Sequence, residues 1–158
     1  MVAINTQNIK MQNGIAFINE ALNAGGWANF SFHCIDTGWH TTTSAEMKSL
    51  LDYAESLGER VWVASFTEAA MYYTEWSTAS VSTSYDESAA AVSVNLTDNE
   101  NDTLFVMPLT VKVYVPGTWE SAQMNGEALE IHRDESGNAF VYANIIPDSG
   151  VKTITEAN

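Results

Sequence analysis

The stretch from Trp27 to Trp76 constrains the fold most, because it reads as strand, helix, strand, helix and so supplies only two strands of a parallel sheet. Parallel sheets are normally covered on both faces and flanked by further strands. Two strands and the helix between them do not make a domain. Either the rest of the sheet is missing from the chain, or a partner or the other half covers its edge. A truncated sheet is the simpler reading.

The first strand is expected over Trp27–His33, with Phe30 and Phe32 on one face and Trp27, Asn29 and Ser31 on the other. His33 then sits at a carboxyl strand end, where parallel α/β folds hold their chemistry. A loop, Cys34–Thr42, carries Asp36, Gly38, Trp39 and His40. Thr43 and Glu46 have the spacing of a capping box, which satisfies free backbone N–H groups at a helix start. Met47, Leu50, Leu51, Ala54 and Leu57 recur at helical spacing until Gly58. Val61–Ser65 reads as a short buried parallel strand, and Thr67 opens another helix. Upstream, Asn5–Asn23 reads as a helix with Ile9, Ile15, Ile18, Ala21 and Leu22 on one stripe, closed by Gly25-Gly26. Trp62, Tyr72, Tyr73 and Trp76 read as core, since buried aromatics remove large apolar areas from water.

After Ala79 the texture changes to short β-rich runs: Val81–Tyr85, Ala91–Leu96, Leu104–Val115, Ala128–His132, Ala139–Ile146 and Val151–Ile154. Turn-forming clusters separate them. Val111, Val113 and Val115 alternate with Lys112 and Tyr114, a half-buried antiparallel pattern. Asn125-Gly126 is a hairpin signal. The fold class is thus α/β followed by all-β: a partial (β/α)-barrel segment over 1–79, then a small antiparallel β-sandwich over 80–158.

Twenty acidic against six basic residues give a net charge of −14, a field that repels nucleic acid and anionic membrane surfaces. No apolar run approaches the roughly 20 residues of a membrane span, and the first residues show no secretory leader pattern. Cys34 is the only cysteine, so no intrachain disulfide forms, and its apolar setting argues against a nucleophile. Asp98, Glu100 and Asp102 concentrate oxygen ligands without the spacing of a helix–loop–helix calcium site, and read as a solvated turn. His33, Asp36 and His40 match no established metal-ligand spacing. His132 reads as a surface strand residue.

The block from Trp27 through Phe30-Ser31-Phe32-His33-Cys34-Ile35-Asp36, together with Val61-Trp62-Val63-Ala64-Ser65-Phe66-Thr67-Glu68 and Tyr73, resembles the carboxyl-terminal end of polysaccharide deacetylase domains. A Pro108-Leu109-Thr110 run fits the β-rich tail of some members, and the resemblance covers residues from about 5 to 120. It implies a distorted (β/α) barrel and metal-dependent hydrolysis of acetyl groups on carbohydrate. His33 would be the general acid, a task suited to a group that titrates near neutrality. Asp36, Trp39 and His40 would line the same mouth and bind substrate, Trp39 by stacking on a sugar ring.

The family's Asp-Asp pair and His-x-x-x-His motif are absent: His33, His40 and His132 are never four apart. The expectation is a fragment or partial homologue, incomplete as a catalyst alone. It holds no cofactor in this chain, a zinc-class ion belonging only to a longer homologue. The implied partner is a polysaccharide or acetylated sugar, with neither nucleic acid nor membrane, and a homodimer could form through the exposed sheet edge. Secretion or a periplasmic location follows from that substrate class. The rival is a non-catalytic carbohydrate-binding or structural β-sandwich module.

Overall fold

The computed structural model describes residues 3–6, 11–39 and 41–157. They divide into two compact units between Phe66 and Thr67.

In the first unit, β1 (Ala3–Thr6) and β2 (Trp27–Phe30) pair in parallel, from Ala3 opposite Trp27 to Thr6 opposite Phe30. The helix α1 (Met11–Ala24) makes the crossover between them. A parallel pair is therefore present, but the partner of the Trp27 strand is amino-terminal to it. The helix expected from Asn5 gives way there to a strand, and Ile9 lies outside the described residues. β2 also stops at Phe30, three residues short of His33.

α1 ends with Gly25 at φ +59° and the Gly26 N–H donating to the Ala21 carbonyl at 2.8 Å, the left-handed stop that glycine adopts without strain. A second small parallel pair joins β3 (Cys34–Ile35) to β4 (Thr41–Thr42). α2 (Ser44–Ser56) begins with the capping box read from the sequence: the Glu46 N–H donates to Thr43 Oγ1, and the Thr43 N–H donates to the Glu46 carboxylate. Ile18 of α1 meets Leu50, Ala54 and Leu57 in a buried cluster, flanked by Ile15, Leu22, Phe30, Tyr53 and Val61. Full burial of an aliphatic side chain contributes about 1.5–3 kcal/mol. Leu51, which spacing puts on the same stripe, is instead half exposed.

The largest departure is at Val61–Ser65, where no strand forms. Trp62 is 56% exposed and Val63 64% exposed. A parallel strand is stable only with ladder partners beside it, and among the described residues β1 and β2 pair with each other alone. The apolar run joins neither of them and makes no ladder. No closed barrel, partial or whole, is formed by the described residues. The aromatics expected as core follow suit: Trp62, Tyr73 and Trp76 are exposed, and only Tyr72 packs on a core.

The second unit joins α3 (Phe66–Thr78), after its first residue, to a run of antiparallel strands. The grouping has a visible cause. The Glu75 carboxylate accepts the Met107 N–H, and the Tyr72 hydroxyl accepts the Thr110 N–H at 3.4 Å. One sheet has five strands in the order β5 (Ser80–Asp86), β6 (Ala91–Thr97), β12 (Lys152–Glu156), β8 (Ala122–Met124), β9 (Glu127–Leu129). The other has three, in the order β10 (His132–Arg133), β11 (Ala139–Ile145), β7 (Leu109–Tyr114).

One buried cluster draws on both sheets: Val92, Val94, Leu96 and Ile154 from the first, Leu109, Val111, Val113, Val141, Ala143 and Ile145 from the second. The period-two alternation puts every second residue there. The Asn125-Gly126 turn forms as read, with both residues at positive φ (55° and 83°) and Met124 opposite Glu127. The expected strand Leu104–Val115 shrinks to β7, Ala128–His132 splits into β9 and β10, and β8 carries no signal in the sequence.

Candidate functional site

The loop after β2 brings His33 and Trp39 together, their ring centroids 4.9 Å apart. Both are exposed. Gly38 lets the loop turn, because at φ +117° a side chain is strained and a Cβ there would lie 2.7 Å from Cys34 Sγ. Asp36, at φ +67°, accepts the Ser44 N–H through Oδ1 at 2.7 Å, so its carboxylate is used to tie the loop to the start of α2. His40 lies outside the described residues. His33 is therefore a loop residue rather than the end residue of a strand. The void beside these elements, lined by Gly14, Phe30, Phe32 and Leu50, measures about 10 Å3 and holds no more than a water molecule.

A larger feature lies on the outward face of the three-stranded sheet, where the alternation that buries Val111, Val113 and Val141 turns Lys112, Tyr114 and Tyr142 outward. Register sets them side by side: Tyr114 opposite Phe140, Lys112 opposite Tyr142, Thr110 opposite Asn144, and His132 opposite Phe140. Four rings then form one cluster, with Phe140–Tyr142 at 5.3 Å, Phe140–His132 at 5.4 Å, His132–Tyr142 at 5.4 Å and Tyr114–Phe140 at 6.1 Å. Phe140 is 7% exposed although it stands outside the core cluster, because its neighbours cover it. Tyr114 and Tyr142 are 54% and 50% exposed and present ring surface to water.

Lys112 Nζ lies 3.9 Å from the Phe140 ring centroid and 4.9 Å from that of Tyr114, a cation over aromatic faces. Tyr114 beside it holds the ammonium above the usual lysine range. Thr110 Oγ1 donates to Asn144 Oδ1 at 2.7 Å on the same face. Past Tyr114 the face continues into an open groove of about 460 Å3 lined by Tyr114, Val115, Gly117, Gly137, Asn138 and Ala139. Arg133 braces it, donating to the carbonyls of Gly117 and Gly137. Lys112 and Tyr114 are legible from their alternation with valines. Their meeting with Phe140, Tyr142 and His132 depends on strand register, which no local spacing reveals.

Asp98, Asp102 and Asp148 bring carboxylate oxygens within 4.8 Å of one another, an arrangement of the oxygen type that calcium takes. Glu100, read in the same acidic run, instead accepts a bond from Thr78 Oγ1 at 3.3 Å. Nearby Glu75 is fully buried, and loss of water pushes its carboxyl above the ordinary carboxylate range. The Met107 N–H opposes that rise, while the charges of Asp98, Glu100 and Asp102 add to it.

No family model matches the chain. No solved structure matches it. Among curated proteins, a gellan lyase from a Bacillus species is 26% identical over 139 residues. The match takes in 82% of this chain and 6% of that protein, so the chain spans a small part of its relative's length. The similarity corrects the deacetylase resemblance. That relative is a lyase and not a deacetylase, and the Val61–Ser65 strand of the resemblance is not formed.

Proposed function

We propose that the β-rich unit is a β-sandwich that binds polysaccharide through the Tyr114–Phe140–Tyr142–His132 face, as one module of a longer polysaccharide-acting protein. The observation that carries this reading is the mutually braced ring cluster on the outward sheet face, with Tyr114 and Tyr142 half exposed. A pyranose ring has apolar C–H faces and polar edges. An aromatic side chain offers it a rigid apolar surface at little cost in side-chain entropy. Two exposed tyrosines fixed by neighbouring rings are already in place before the ligand arrives, which lowers the cost of binding. Thr110, Asn144 and Lys112 supply hydrogen-bonding groups beside the rings. The Bacillus gellan lyase, similar over most of this chain, supports a polysaccharide as the ligand class.

The test is affinity electrophoresis of the full chain through gels containing gellan or a neutral glucan. The reading expects retardation by at least one polysaccharide, lost in Tyr142→Ala and in Tyr114→Ala and kept in Trp39→Ala. Retardation lost only in Trp39→Ala would move the site to the loop of the first unit and overturn this assignment.

A further inference from the structure

Resting on that sugar-binding reading, we propose that the face selects acidic polysaccharides, with the Lys112 ammonium binding the carboxylate of a uronic-acid unit while an adjoining sugar ring stacks on Tyr142 or Tyr114. The chain carries twenty acidic residues and six basic ones, so a cation in the middle of the ring cluster is against the trend of the whole surface. Lys112 is that cation, placed opposite Tyr142 and over Phe140.

Its ammonium meets the Tyr114 hydroxyl and feels the charge of Asp134, but it is exposed and closes no ion pair. Among the described residues the salt bridge found is Lys48–Asp52, and none involves Lys112. Asp134, the carboxylate whose charge reaches Lys112, is hydrogen-bonded within its own turn. Its Oδ1 accepts the N–H groups of Ser136 and Asn138, and its Oδ2 accepts from Asn138 Nδ2 and from the Tyr114 hydroxyl. Those bonds hold Asp134 below the usual carboxylate range, Asn138 contributing most. Arg133, the other cation on these strands, is turned onto two backbone carbonyls. Lys112 is thus an exposed point charge held over aromatic faces, able to meet an external anion.

The decisive measurement is calorimetry of the full chain with polygalacturonate and alginate, each beside its carboxyl-reduced neutral form. Variants are Lys112→Gln, Tyr142→Ala and Lys48→Gln, their folding checked by circular dichroism. Lys48→Gln changes the net charge by the same amount at a distance in sequence and serves as the control. The proposal expects binding to an acidic polymer that weakens about tenfold on carboxyl reduction and about tenfold in Lys112→Gln, the size of one charge-assisted contact. Lys48→Gln should bind as the wild type does. Equal affinity for the acidic and reduced polymers, or for the Lys112→Gln and wild-type chains, would overturn charge selection. If Tyr142→Ala still abolished that binding, the sugar-binding reading would survive. Binding to neutral glucan alone would have the same meaning, and no binding to any polysaccharide would sink both readings.

Discussion

At the scale of single residues, Glu75 carries the clearest thermodynamic consequence. An acid on the buried side of α3, it is fully enclosed and held by one N–H group, from Met107. Its carboxyl is raised above 4.5 in the folded chain, first by loss of water. Well below pH 4.5 both folded and unfolded chains keep the proton. Above it the unfolded chain loses its proton first, so stability falls as pH rises, until the folded carboxyl has also ionised. Glu75→Gln keeps the shape and an acceptor for Met107 without the charge. Its melting temperature should match the wild type's well below pH 4.5 and exceed it at pH 7, with a flatter profile between. A variant less stable than wild type at pH 7 would show that the ionised carboxylate stabilises the fold. Nothing in the sequence marks Glu75, which sits among aromatics in T-E-A-A-M-Y-Y-T-E-W and reads as one more solvated acid. Its hydrogen-bond donor, Met107, lies thirty-two residues on. His33 differs in position: the sequence puts it at a strand end, whereas β2 ends at Phe30 and leaves it on an exposed loop.

At the scale of elements, what could be read depended on how local the cause was. The α2 cap was legible because Thr43 and Glu46 are three residues apart and each satisfies the other's backbone. Thr43→Ala should cost about 1 kcal/mol in a urea titration followed by helical circular dichroism. A loss below about 0.3 kcal/mol would mean that Asp36, bonded to Ser44, caps the helix unaided. The Asn125-Gly126 hairpin was legible for the same reason, its left-handed residues being needed within the turn itself. Val61–Ser65 was misread because strand formation is a property of a pair. The apolar run has the composition of a buried parallel strand, but among the described residues no strand pairs with it. β1 was hidden by its four-residue length and by the helix read from Asn5, and β8 by being three residues long. The ring cluster on the β7–β11 face follows from register over six residue pairs, so it appears only once the strands are aligned.

At the scale of the whole chain, the charge of −14 acts on stability as well as on choice of ligand. Like charges brought together by folding repel one another more than they do in the expanded chain, and Asp98, Asp102 and Asp148 meet within 4.8 Å although residues 102 and 148 are far apart in sequence. Salt shortens the reach of such repulsion, from about 30 Å at 0.01 M to about 10 Å at 0.1 M. The melting temperature should therefore rise with salt, by about 2–4 °C for each 1 kcal/mol of repulsion relieved in a chain of this size. Sodium chloride and tetramethylammonium chloride at equal ionic strength should give the same rise, because screening depends on ionic strength and not on the cation's fit. A rise given by sodium and not by tetramethylammonium would instead mark a cation held by the carboxylates. A fall with salt would mean that the folded chain is held together by attractive pairs, against a surface on which Lys48–Asp52 is the salt bridge found among the described residues. The same field raises the barrier to any polyanion that approaches. A face that takes one must therefore bind its anion locally, and on the β7–β11 surface that demand falls on Lys112.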